Sequence, residues 1–214
     1  MRSVVVGFSV AVSLLALGCS GRVTDDTFLD ETGTGTGTDT GVNDDGLTPE
    51  DLAEIEAVED ELWAIVDGTL AYFAEEQIDY DPPHRCPHPN GGPAGGEAGM
   101  TPDLDFNCNL GPEGKCLPTA EGLEGPGIYD HYLWTDNSVW IGVGFEREQG
   151  VPHEFHYNLI AINDLNSAYG ACEFTASAHA DFDGDGLFST YSISGTVDQQ
   201  GEIVGELVIV DPYE

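Results

Sequence analysis

Basic side chains are nearly absent. The 214-residue chain carries 5 Lys and Arg against 40 Asp and Glu, a formal net charge of −35. Such a field repels nucleic-acid phosphates and anionic lipid headgroups, and it leaves few cations for a phosphate clamp. It favours solubility, cation binding or life in high salt. A bilayer-length apolar run is also missing. The stretch Val4 to Leu17 falls short of the roughly 20 residues that span a membrane. Catalytic signatures are missing too, for there is no G-x-S-x-G, H-E-x-x-H or Gly-rich phosphate loop. His153 and His156 stand three apart at a strand start and so point to opposite faces. His131 and His179 have no evident nucleophile partner. The expectation is a non-enzymatic protein, with a secreted hydrolase as the least favoured reading.

What is present begins with an address. Arg2 and the apolar run end in Leu15-Ala16-Leu17-Gly18-Cys19-Ser20. This resembles the lipobox of bacterial lipoproteins, although Ala16 stands where a branched aliphatic is commoner. The resemblance implies a signal peptide over 1–18, cleavage before Cys19 and lipidation of its thiol and new amine. The competing reading is a plain secretory signal. Residues 19–46, rich in Gly-Thr repeats and Asp, cannot build a core and read as a disordered tether. A coil of that length spans about 30 Å, more when its charges repel.

The folded part is expected over 47–214. Leu47 to Asp79 reads as one long amphipathic helix of about 28 residues, roughly 42 Å at 1.5 Å per residue. Thr48 is its N-cap and Pro49 its first residue, with acidic residues in the first turn. Leu52, Ile55, Val58, Leu62, Ile65, Val66, Leu70 and Phe73 form one stripe, and Glu54, Glu56, Glu59, Asp60, Glu61 and Asp67 form a solvated face. Gly68 marks a bend or a close approach.

Residues 80–127 are rich in Pro and Gly and hold Cys86, Cys108 and Cys116. With Cys19 lipidated, these three and Cys172 make two disulfides the default for an exported chain. Three pairings are possible; the expected one closes a small loop with Cys108–Cys116 and pins the region to the sheet with Cys86–Cys172. The alternation His84, Cys86, His88 also suits zinc, but an exported chain favours a disulfide flanked by two exposed histidines.

From residue 128 onward the chain reads as an antiparallel sheet, with strands over 128–134, 138–146, 154–163, 168–181, 187–198 and 202–211. Phe155, Tyr157, Leu159 and Ala161 share one face, as do Cys172, Phe174, Ala176, Ala178 and Ala180. The alanine row leaves room for a helix, which makes the class α+β, a long N-terminal helix packed on an antiparallel meander.

One motif has sharp chemistry. Asp181-Phe182-Asp183-Gly184-Asp185-Gly186-Leu187 matches the first half of an EF-hand Ca²⁺ loop. Asp181, Asp183 and Asp185 converge on a hard cation, the Leu187 carbonyl ligates, and Asp103 or Asp105 is a further donor. The acidic residue expected at position twelve is replaced by Ser192. A structural Ca²⁺ is expected; the alternative is an acidic turn without an ion.

Taken together, residues 48–200 resemble the globular half of type IV pilin-like and pseudopilin chains. The likeness rests on Leu70-Ala71-Tyr72-Phe73-Ala74-Glu75, then a cysteine-containing loop, then Phe155-His156-Tyr157-Asn158. It continues through Cys172-Glu173-Phe174-Thr175-Ala176-Ser177-Ala178 into the Asp-Gly hairpin. It implies a helical spine, a meander sheet packed on it and, in some members, a bound Ca²⁺. Gly7-Phe8-Ser9 mimics a pilin processing site, but Val12 occupies the place of the pilin Glu and the apolar run stops at Cys19. Assembly through a continuous helix bundle is therefore not expected. The implied protein is a pilin-type head on a lipid anchor, in the envelope of a Gram-negative bacterium and at its outer membrane. Its partners are the membrane, through the lipid, and an envelope protein or extracellular material; nucleic acid is not among them. A calcium-dependent surface adhesin is the alternative.

Overall fold

Pro49 opens the first helix, α1 (Pro49–Ala74), whose 26 residues make it about 39 Å long. The computed structural model describes residues 49–87, 95–120, 122–123, 125–164, 166 and 168–211. Cys19, the tether, Thr48 and His88 lie outside the described residues. The helix is shorter than the Leu47–Asp79 stretch and stops at Ala74. His84 reaches back there through Nδ1 to the Phe73 carbonyl at 2.8 Å and stacks on Tyr169 at 4.1 Å. This histidine is buried, not exposed as the flanking-histidine reading required.

Val58, Leu62, Ile65, Val66, Thr69 and Phe73 carry the buried face of α1, while Leu52 is exposed. Each fully buried aliphatic contributes roughly 1.5–3 kcal/mol. The acidic face is not solvated throughout. Glu61 is half-buried, accepts hydrogen bonds from Arg147 Nη1 and Tyr157 Oη, and ties α1 to the approach to the sheet. Gly68 marks a close approach: a β-carbon there would collide with the Val143 carbonyl oxygen. That oxygen belongs to backbone and cannot swing aside, so larger residues are excluded even though Ala favours helix.

The main sheet is antiparallel. Its order is β1 (Gly95–Glu97), β4 (His156–Asp164), β5 (Ala171–Ala180), β6 (Ser189–Asp198) and β7 (Gly201–Val204), with β8 (Val208–Val210) on the other end of β6. β4 to β7 form a meander, in which Ala161 lies opposite Phe174 and Phe174 opposite Gly195. Cys172, Phe174, Ala176, Ala178 and Ala180 are all buried, and α1 packs on β5 and β6. The small alanine side chains admit the helix, so the class is α+β. The span 202–211 is two strands, because Gly205 breaks the pairing and its amide bonds Ser194 instead.

Residues 128–146 depart from the expected strands. Only β3 (Ile128–Asp130) is extended, and it pairs in parallel with β2 (Leu117–Thr119). The helices α2 (Tyr132–Thr135) and α3 (Ser138–Val143) follow. Asn137 caps α3 by accepting from the Val139 amide at 3.0 Å, and Gly144 closes it in the left-handed conformation. These caps outweigh the β-propensity of the Val-Trp-Ile run.

Both disulfides form the expected pairs, Cys86–Cys172 and Cys108–Cys116, with Cα separations of 5.2 and 4.3 Å. The loop region is laced to the sheet. β1 pairs with β4, Thr101 exchanges two backbone bonds with Tyr157, and Cys116 exchanges two with His153. Among the described residues no helix is long and apolar enough to cross a membrane.

His153 sits in this lacing with no water contact. Its Nδ1–H donates to the Phe155 carbonyl at 2.8 Å. Its Nε2 accepts from Tyr129 Oη at 2.7 Å, and that oxygen accepts from Trp134 Nε1 at 2.9 Å. Burial, with the Arg147 charge adding, holds the imidazole pKa well below 6.5. The unfolded chain takes up this proton below about pH 6.5 and the folded chain does not. Stability present above that pH is lost as pH falls towards the folded value, with a slope of up to ~1.4 kcal/mol per pH unit. Ring-nitrogen NMR at pH 6 should find His153 neutral with the proton on Nδ1; an imidazolium spectrum contradicts the network.

Candidate functional site: an acidic loop and cleft

β5 ends at Ala180 and β6 starts at Ser189, so residues 181–188 form the loop of this hairpin. The loop folds around its own carboxylates. Asp181 accepts from the Gly184 amide at 2.8 Å and the Gly186 amide at 3.1 Å. Asp183 accepts from Asp185 at 3.1 Å, and Asp185 from Leu187 at 2.8 Å. Gly184 and Gly186 adopt φ of 79° and 91°, a region that residues with a β-carbon rarely enter.

One carboxylate oxygen from each of Asp181, Asp183 and Asp185 lies within 4.8 Å of the others. That span is twice a Ca²⁺–oxygen distance of about 2.4 Å, and the donors are hard oxygens, so the set fits Ca²⁺. Asp181 is half-buried, while Asp183 and Asp185 are exposed. Leu187 enters the loop through its amide. Asp103 and Asp105 do not join the cluster, and Ser192 is paired within β6.

A cleft of about 480 Å³ adjoins the loop. One wall is Asp181, Phe182 and Phe188; the other comes from residues 104–109 and 113–114, with Glu154 and His156 also lining it. Asn109 Nδ2 joins the walls by donating to the Asp181 carbonyl at 3.0 Å. Asp105, Glu113, Glu154 and Asp181 make the lining anionic. The cations do not offset this at the surface. Of the three described Lys and Arg residues none is exposed: Arg85 and Lys115 are buried, and Arg147 is half-buried against Glu61. Lys115 pairs with Glu154 at 3.2 Å. Arg85 lies 4.2 Å over the Tyr80 ring.

No family model, curated protein or solved structure matches the chain. The chemistry therefore rests on the residues themselves. His156 is buried at the cleft, with Nδ1 bonded to the Pro102 carbonyl at 2.9 Å; burial lowers its pKa, partly offset by that bond and by Asp103. His131 Nε2 donates to the Arg147 carbonyl at 2.8 Å. His179 does have hydroxyl neighbours: Ser177, two residues back on the same face of β5, at 3.2 Å, and Thr190, which pairing with β6 sets opposite it, at 2.9 Å. Among the described residues, none of its hydrogen bonds is to a carboxylate. The cleft's second wall and the Lys115–Glu154 pair were illegible in sequence, because their members come together only through the loop lacing.

Proposed function

We propose that this chain is a non-enzymatic, lipid-anchored protein of the cell envelope. Its pilin-like head serves as an interaction or accessory module and is clamped by a structural Ca²⁺ at Asp181, Asp183 and Asp185. The observation that carries the reading is the convergence of those three carboxylates at the tip of the β5–β6 hairpin. Three anions this close repel one another, and a divalent cation converts that cost into a tie. The cation also braces the cleft, since Asp181 supports both the loop amides and the Asn109 bridge. With Asp183 and Asp185 exposed, the expected affinity is that of weak extracellular modules, Kd of about 10⁻⁴–10⁻³ M. A surface without an exposed cation among the described residues suits a compartment rich in divalent ions.

The helix packed on a meander, the disulfide-linked loop and the Asp-Gly hairpin support the pilin-like reading. Its anchor rests on Cys19 and the preceding apolar run. Millimolar Ca²⁺ against EDTA should raise the Tm by about 3–6 °C, the shift for a ligand near ten times its Kd on a chain this size. Asp183→Asn should remove most of the shift, and equal melting curves for the wild type contradict the clamp. Palmitate labelling tests the anchor: it is expected in the wild type and lost in Cys19→Ala, whereas equal labelling contradicts it.

A further inference from the structure

Cys108, Cys116 and His156 form a second cluster, chemically unlike the aspartate loop. All three are buried, and one potential ligand atom of each lies within 4.8 Å of the others. His156 commits its Nδ1 proton to the Pro102 carbonyl, so Nε2 carries a lone pair. That lone pair faces Cys108 Sγ at 3.3 Å. A disulfide sulfur has no hydrogen to give, so a buried acceptor is aimed at a group that cannot donate to it. The orientation is that of a metal-ligating histidine, with one ring nitrogen fixed by a carbonyl and the other free to bind. A tetrahedral centre with Zn–N near 2.0 Å and Zn–S near 2.3 Å sets nitrogen and sulfur roughly 3.5 Å apart, close to the spacing found.

We propose that the Cys108–Cys116 disulfide masks a three-ligand site for a borderline-soft divalent cation such as Zn²⁺, opened by a dithiol reductant. The reductant's two thiols give up two electrons and two protons and close into a disulfide. The Cys108 and Cys116 sulfurs take them up as two thiols. Metal binding then releases both protons, leaving two thiolates and the neutral Nε2 of His156 on the ion. Two cysteines and one histidine with an open fourth position match the donor count of three-ligand zinc sites that keep the fourth place for water or a further ligand. Cys108 and His156 line the acidic cleft, so the open position has a route to solvent. The site differs in donor softness from the aspartate loop and does not depend on it.

The test uses the full chain, reduced natively with a dithiol that is then removed without air, and titrated with Co²⁺ as a reporter for zinc. Thiolate-to-cobalt charge-transfer absorption and tetrahedral d–d bands should saturate at one ion per chain, and the oxidised chain should show neither. His156→Gln should weaken binding at least ~10-fold. The double variant Cys108→Ser/Cys116→Ser should abolish the bands, while Asp183→Asn should keep them. The proposal is overturned if the reduced wild type gives no bands or loses its near-ultraviolet circular dichroism on reduction. It is also overturned if the double variant keeps the bands or His156→Gln binds as the wild type does.

Discussion

Replacing Cys86 and Cys172 together with Ala is expected to cost roughly 4–5 kcal/mol of folding stability, the loop-closure value for two cysteines 86 residues apart. The entropy arises in the unfolded chain, which the bond prevents from exploring that long loop. The folded chain loses contacts as well. Both cysteines are almost fully buried, and the Cys86 amide donates to Asn163 Oδ1 at 2.6 Å, so the bridge fixes the end of the α1 connection against β4 and β5. The matching change at Cys108 and Cys116, 8 residues apart, should cost only about 2–3 kcal/mol by the same relation. Urea unfolding of the two double variants reads the difference. Equal losses, or the reverse order, would show that native strain or residual denatured structure sets these values rather than loop length.

Trp140→Ala should cost about 3–5 kcal/mol, the range for deleting a fully buried large aromatic side chain. Trp140 is 0% exposed, its indole packs 5.2 Å from Trp134 and 5.7 Å from Phe145, and its Nε1 donates to Thr101 Oγ1 at 2.9 Å. The next residue, Ile141, is 60% exposed, so Ile141→Ala should change stability by less than about 0.5 kcal/mol. Val143→Ala should cost more than Ile141→Ala, since Val139 and Val143 share the buried face of α3. A strand would set Val139, Ile141 and Val143 on one face with equal losses. The paired measurement therefore separates helix from strand at this segment.

That segment shows where sequence reasoning met its limit. Val, Trp and Ile favour strands by composition, yet one Asn at the start and one Gly at the end supply both caps of a short helix. Gly144 lies inside the expected strand 138–146, and its pairing with Asn137 across α3 was the missing signal. β5 and β6 were legible because burial alternates along them, from Phe174 to Ala176 to Ala178, whereas the first four residues of β4 are buried on both faces. The spine of α1 was legible for the same reason at a period of 3.6, but its end was not. His84 closes the Phe73 carbonyl from eleven residues away. Glu61 read as a surface charge because its partners, Arg147 and Tyr157, lie 86 and 96 residues further on. The aspartate cluster was legible because its carboxylates are neighbours in the chain. The cleft beside it was not, since its opposite wall arrives through the Cys108–Cys116 loop.

The most direct test is calorimetric titration of the full chain with Ca²⁺, comparing wild type with Asp183→Asn. One ion per wild-type chain, with a Kd of about 10⁻⁴–10⁻³ M and at least ~10-fold weaker binding in the variant, is the expected result. Absence of saturable binding in the wild type, or the same isotherm from both proteins, would contradict a calcium clamp at this hairpin.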